Sequence, residues 1–233
     1  MIELHNIRFN RENFSLKIEE LKIVEGTKTI LVGASGSGKT TLLRILSGLE
    51  KRFEGEYRLD GIAKKDLGKL KERGIMFLSQ DFLLWEHLNV IEHLNFVLNG
   101  GKSLKEHQES INFLKMVGLF YKKENKISQL STGERQRLAL ARALSAKAKY
   151  LFLDEPFSNI DMVLAHELIE IINKYQNDKK FSVIFSSHGH LGFKKDSKII
   201  ILDNGKIIQK GKWENIKNKP NNKWIKKWVE LVE

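Results

Sequence analysis

An α/β fold with a mostly parallel central sheet is predicted by three observations on this sequence. Short apolar runs of strand length recur along it, helix-like segments separate them, and most runs are apolar at successive positions. The last pattern marks strands buried on both faces. The runs are Thr29–Val32, Ile75–Leu78, Tyr150–Leu153, Phe181–Phe185 and Ile199–Leu202. Between them lie the helix-like segments Thr40–Leu49, Val90–Leu98, Leu104–Val117, Glu134–Leu144 and Ala165–Tyr175. Two regions depart from this alternation. Before residue 30, apolar and polar residues alternate (Ile2, Leu4; Leu16, Ile18; Leu21, Ile23), which predicts an antiparallel β subdomain. Residues 81–130 hold no convincing strand and predict a helical subdomain inserted into a core made of 1–80 and 131–211. Residues 212–233 are rich in Lys, Asn and Trp and form a separate tail.

The 233 residues suit one large domain or two small ones, and 41% apolar content is enough for a buried core. Forty basic residues against 29 acidic ones give a net charge of +11, which suits a polyanionic partner without choosing one. There is no cysteine, so disulfides, thiolate zinc sites and a cysteine nucleophile are excluded. The start MIELHNIRFN lacks the pattern of a secretory signal, and no apolar run nears the ~20 residues of a membrane span. A cytoplasmic chain is expected, with any membrane span supplied by another protein.

Gly33-Ala-Ser35-Gly36-Ser37-Gly38-Lys39-Thr40 fits the pattern G-x-x-x-x-G-K-[ST], with a strand leading in and a helix leading out. Glycines there let backbone N–H groups wrap an anion, and the helix start adds its positive dipole end. Lys39 supplies a point charge to the β- and γ-phosphates, and the Thr40 hydroxyl is placed for Mg²⁺. This is a P-loop nucleotide site. Alone it does not separate GTPase, kinase and ATPase.

The strand Tyr150–Leu153 ends in Asp154-Glu155-Pro156. Beside a phosphate loop, Asp154 can hold Mg²⁺ through water and Glu155 can polarise an attacking water as general base. Leu130-Ser131-Thr132-Gly133-Glu134 precedes a helix. Ser131 and Glu134 have the spacing of a capping box, and the same helix start can serve as a second anion site.

With these residues in place, the chain resembles the nucleotide-binding subunits of ATP-binding cassette (ABC) transporters over about residues 1–211. Leu130–Glu134 corresponds to the signature sequence and Asp154-Glu155 to the second nucleotide motif. Gln80, Ser158–Asp161 and His188 fall where the family has its Gln loop, D-loop and switch histidine. The resemblance implies two copies set head to tail, each ATP lying between Gly33–Thr41 of one and Ser131–Glu134 of the other. It implies that Gln80 reaches Mg²⁺ and senses the transporter, that His188 orients water with Glu155, and that Asp161 couples the two sites. Phe9 stands at the position of the aromatic that stacks on adenine, and suits either that role or core packing. The implied partners are a second copy, membrane permease subunits and, for an importer, a solute-binding protein. The implied location is the inner face of the cell membrane.

The chain departs from the family pattern at Thr132, where a glycine is usual, and at Glu134, where glutamine is usual. Thr132 puts a branched side chain where bare backbone normally faces nucleotide, so weaker phosphate contacts are expected. The segment from His188 to Asp196 is shorter than usual. His188 and His190 lack a third partner for a metal. Phe82, Leu83 and Trp85 suit either a docking groove for the permease or packing within the insertion. The form Asp154-Glu-Pro-Phe157-Ser158 leans towards importers. The helix-like stretch Trp224–Val232 sets Trp224, Trp228 and Leu231 on one face, for core packing or for a bilayer surface. The rival readings are an ABC ATPase without a permease, of the iron–sulfur assembly type, and a nucleic-acid-binding ABC protein. The short insertion, with no room for sustained heptads, argues against nucleic acid.

Overall fold

The computed structural model describes residues 1–63, 71–158, 160–187 and 197–232. Among the described residues ten strands form one sheet. They are β1 (Ile2–Arg11), β2 (Phe14–Ile23), β3 (Lys28–Val32), β4 (Glu54–Leu59), β5 (Ile62–Ala63), β6 (Ile75–Leu78), β7 (Tyr150–Leu153), β8 (Ser182–Ser187), β9 (Lys198–Asp203) and β10 (Lys206–Lys212). Their order is β5-β4-β1-β2-β10-β9-β3-β8-β7-β6. From β9 to β6 every neighbour is parallel, whereas β1, β2, β4 and β5 pair antiparallel. β10 turns back along β9 and meets β2 at Lys206 and Lys17, which joins the two parts. The parallel strands are buried along nearly their whole length, as their unbroken apolar runs require.

Seven α-helices accompany the sheet among the described residues: α1 (Lys39–Ser47), α2 (Val90–Leu98), α3 (Gln108–Met116), α4 (Thr132–Ser145), α5 (Met162–Lys179), α6 (Trp213–Asn218) and α7 (Lys223–Val232). One face of the sheet, with the antiparallel strands, closes over Leu42, Leu43, Ile45 and Leu46 of α1. Burying a side chain of this size contributes about 1.5–3 kcal/mol, so α1 is held by its apolar stripe. The second core cluster unites α4, α5 and the helices of the insertion: Leu94, Phe113 and Leu114 are buried in one group with Leu138, Leu144 and Leu168.

Three expectations are revised. The helix expected from Leu104 begins at Gln108, because Asn95 of α2 and Asn99, which follows it, hold the preceding backbone. Asn95 donates to Leu104 O at 3.2 Å and accepts from His107 N at 3.1 Å, and Asn99 donates to Lys105 O at 2.7 Å. The tail is not separate: Ile225, Trp228 and Val229 of α7 belong to the second core cluster. Its stripe is rotated from the expected one, since Trp224 is 43% and Leu231 73% exposed. The third concerns α5, which runs well past both ends of Ala165–Tyr175. Asp161 caps its start, and Lys180 ends it in a left-handed conformation.

Candidate nucleotide site

The phosphate loop joins β3 to α1 at the carboxy-terminal edge of the parallel strands, where a doubly wound sheet binds ligands. Two glycines are fixed by their surroundings. A Cβ on Gly33 would lie 2.2 Å from Leu202 O, and Gly38 has φ of 102° with the Phe14 ring against it. Ala34, Ser35, Gly36 and Thr40 are exposed, while Ser37 and Lys39 are buried. Ser37 N donates to Ala34 O at 3.1 Å and Ser37 O accepts from Gly205 N at 3.0 Å, which sets the curl of the loop. Lys39 Nζ donates to the carbonyls of Gly33 at 2.9 Å and Ala34 at 3.1 Å, and lies 3.7 Å from Glu155 Oε1. Burial lowers the Lys39 pKa below the usual lysine value, against the opposing pull of Glu155 and Asp154.

β7 is flanked by β6 and β8, and this placement aims its end at the loop. Asp154 is buried, with its N–H given to Leu78 O at 2.9 Å. Ser186 on β8 donates to Asp154 Oδ1 at 2.8 Å and accepts from Glu155 N at 2.7 Å. Glu155 itself turns at φ 47°, a left-handed conformation held by Ser158, whose N–H and hydroxyl both donate to Glu155 O. Gln136 on α4 also donates to Pro156 O. The turn that presents Glu155 is therefore gripped from three sides.

The start of α4 shows the capping box in full. Ser131 Oγ accepts from Glu134 N at 3.3 Å, and Glu134 Oε2 accepts from Ser131 N at 2.9 Å. Glu134 is further held by Lys122 Nζ at 2.8 Å and Tyr121 OH at 2.9 Å. Those donors, Lys122 foremost and then the Ser131 N–H, bring its pKa down to about 2. The carboxylate at this position thus has its own cation. Ser131 and Thr132 are exposed on the first turn. A Cβ on Gly133 would lie 2.8 Å from Leu164 Cδ2, so a side chain there would have to displace the end of that leucine. Leu164 belongs to the helix that Asp161 caps, through Oδ1 and Leu164 N at 2.9 Å.

Residues 16–158 match the family model described as ABC transporter. The chain belongs to the ABC transporter family. This ABC cassette is 36% identical over 214 residues to a probable sulfate/thiosulfate import ATP-binding protein of Chlorella vulgaris, covering 91% of this chain and 90% of that one. It is 33% identical over 235 residues to a spermidine/putrescine import ATP-binding protein of Mesoplasma florum, covering 98% of this chain and 66% of that one. An Fe(3+) ions import ATP-binding protein of Mannheimia succiniciproducens is 32% identical and 61% covered. The chain therefore spans about nine tenths of the first relative and just under two thirds of the other two. Among solved structures, a dimeric post-hydrolysis ATP-binding cassette bound to ADP and phosphate matches with a TM-score of 0.77 at 28% identity. It covers 91% of this chain and 98% of that one. The cassette is an ATP-binding ATPase by family, and the α/β architecture expected from sequence is the observed one.

The cassette brings together Lys39, Asp154 and Glu155 as the sequence anticipated. Gln80 is exposed two residues beyond Leu78, the end of β6, as Glu155 lies two residues beyond Leu153, its partner on β7. His188 lies outside the described residues. Phe9 is 7% exposed and packs in the core opposite Leu16, its ring 6.4 Å from that of Phe14; Leu16 and Phe14 are the side chains that meet Gly38. Phe157 is buried edge-on against Phe185 at 5.5 Å, a packing residue of the core. Of the expected docking side chains, Leu83 is 68% exposed, while Phe82 and Trp85 are partly buried. Arg142 on α4 donates to the carbonyls of Phe82 and, at 2.7 Å, Leu83, and its guanidinium lies 4.9 Å from the Trp85 ring centroid. Sequence reasoning passed over Ser186, Arg142 and Lys122. A serine in an apolar strand and basic residues in a helix carry no signal without partners.

Proposed function

We propose that this chain binds and hydrolyses MgATP as one half of a head-to-tail dimer that drives solute import through a separate membrane permease. The observation that carries this reading is the meeting of buried Lys39 with Glu155, beside Asp154, at the mouth of the phosphate loop. In it, Lys39 and the N–H groups of 33–41 hold the β- and γ-phosphates, with Phe9 and Phe14, their rings 6.4 Å apart, as the aromatics available to the base. Mg²⁺ fits the donor set of Thr40, Asp154 and Gln80, because the Thr40 side chain is exposed and Ser186 engages only one oxygen of Asp154. Bound there, it would neutralise charge developing on the phosphates. Glu155 accepts a proton from the attacking water, and its fixed turn keeps the carboxylate oriented for that transfer. Ser131, Thr132, Gly133 and Glu134 of one copy face the nucleotide of the other, and Asp161 lies beside that contact.

The import direction is supported by the names of the relatives, all import ATP-binding proteins. Among the described residues no helix is long and apolar enough to cross a membrane; in this reading a separate permease supplies the span, this chain sits on the inner face of the membrane and a solute-binding protein lies on the other side. The test is Lys39→Ala. ATP hydrolysis should fall to background, and near-normal turnover would remove the phosphate loop from the reaction. Purification from solubilised membranes should bring down a polytopic membrane protein; recovery of the chain alone would favour a permease-free ATPase.

A further inference from the structure

The nucleotide edge uses the carboxy-terminal ends of the parallel strands, and the opposite edge has a chemistry of its own. A cavity of about 640 Å³ opens there, lined by Lys28, Lys180, Lys198 and Lys212 and by the amides of Asn173 and Gln176. Among the described residues that line it there is no Asp or Glu. Strand register creates the cluster. Lys28 and Lys198 open β3 and β9, which pair through Thr29 and Lys198. Lys212 closes β10 opposite Lys198, and Lys180 is the left-handed residue that ends α5.

Among the described residues, two acidic groups near the cavity have other partners. Lys28 Nζ donates to Asn173 Oδ1 at 2.9 Å, and Glu170 accepts from Asn173 Nδ2 at 3.1 Å without lining the cavity. Glu25, next to the lining residue Gly26, is engaged by Lys149 at 3.0 Å. The end of α5 contributes roughly half a negative charge. Lys180, Lys198 and Lys212 have no ion pair among the described residues and raise the potential of a concave, polar site. Its volume is that of an ordinary small-molecule pocket, typically about 300–1,000 Å³.

We propose that this cavity binds a compact polyanion, a small molecule carrying several phosphate groups, at a site separate from the nucleotide. Several phosphates on one small frame match several lysines lining one concavity, whereas a single phosphate would engage only one or two of them. The site lies at the foot of β3, whose five residues lead directly into Gly33. At about 3.3 Å per residue the two sites are on the order of 16 Å apart along that strand. A ligand drawing β3, β9 and β10 together steadies the strand that carries the phosphate loop.

The test is calorimetric titration with inositol hexakisphosphate at fixed salt, with ADP at saturation and again on Lys39→Ala. One saturable site should appear in both. Lys198→Gln combined with Lys212→Gln should weaken it at least tenfold. Lys226→Gln combined with Lys227→Gln, which removes equal charge from α7, should change it less than twofold. Lys212→Gln alone, at an exposed position, should still weaken binding threefold if the double variant fails to fold. Inorganic phosphate should bind at least a hundredfold more weakly than the hexakisphosphate. Absence of a saturable site, loss of it in Lys39→Ala, or equal weakening by the α7 variant would overturn the proposal. None of these readouts needs hydrolysis, so they stand or fall apart from the transport reading.

Discussion

Ser186 on β8 and Asp154, just past the end of the neighbouring β7, share a hydrogen bond of 2.8 Å, in which the serine hydroxyl donates to one carboxylate oxygen. The same hydroxyl accepts from the N–H of Glu155, so one side chain positions both acidic residues. Ser186→Ala should leave Asp154 buried with one fewer donor. Losing such a bond to a charged group costs about 1.5–3 kcal/mol. Turnover should fall at least tenfold and the Mg²⁺ concentration for half-maximal activity should rise. Unchanged Mg²⁺ dependence would reduce Ser186 to a packing role.

Glu155→Gln separates binding from chemistry. The amide keeps size and hydrogen bonding but cannot accept the proton, so hydrolysis should drop on the order of 10²-fold or more. ATP binding should survive, and size exclusion with MgATP should show a dimer that ADP does not produce. Normal hydrolysis by this variant would pass the role of base to another group, His188 first.

Thr132→Gly restores the usual residue at an exposed first-turn position. The variant should tighten the ATP-bound dimer or raise turnover. If sedimentation and rate are both unchanged, the branched side chain does not hinder the opposed nucleotide.

His93 makes stability pH-dependent. Its Nε2 accepts from Trp85 N at 3.0 Å, so Nδ1 carries the proton and donates to Asn89 O at 2.7 Å. Burial, helped by the nearby Arg142 charge, brings its pKa down from 6.5 to about 4. A histidine neutral in the fold and protonated when unfolded stabilises fully above pH 6.5, and this contribution is lost as pH falls towards 4. Urea unfolding between those values should show stability declining with acid, and His93→Gln should flatten that part of the curve.

Arg142 is the clamp of the same region. Phe82 and Leu83 both hold positive φ, at 58° and 44°, and both carbonyls are satisfied by this one buried guanidinium. Arg142→Met would strand the carbonyls and release the turn, at a cost of about 2–4 kcal/mol from unsatisfied groups. Arg142→Lys should recover less than half of that loss, because an ammonium lacks the planar fork. Full recovery by lysine would mean that charge alone matters.

Legibility followed burial and motif chemistry. The strands Ile75–Leu78 and Tyr150–Leu153 match their sequence runs because strands buried on both faces must be apolar throughout. β4 left no such trace: of Glu54–Leu59 only Tyr57 and Leu59 are buried, and pairing with β1 makes it a strand. The phosphate loop and Asp154-Glu155 were readable because their chemistry fixes both residue type and spacing. Phe9 was ambiguous because alternation along β1 says which residues share a face, not whether a ring there packs in the core or reaches a nucleotide. The grouping of Arg142, Trp85 and His93 was illegible since Arg142 is far in sequence from the other two and the contacts run mainly to backbone.

The docking of α7 has a consequence for how the chain comes into being. Ile225, Trp228 and Val229 complete an apolar cluster whose other members reach back to Ile30 and Val32. On the ribosome, every earlier part of that cluster has emerged while its last wall is still missing. The nascent cassette therefore exposes an oily face until synthesis has passed residue 229, an interval in which chaperones or premature association compete for it.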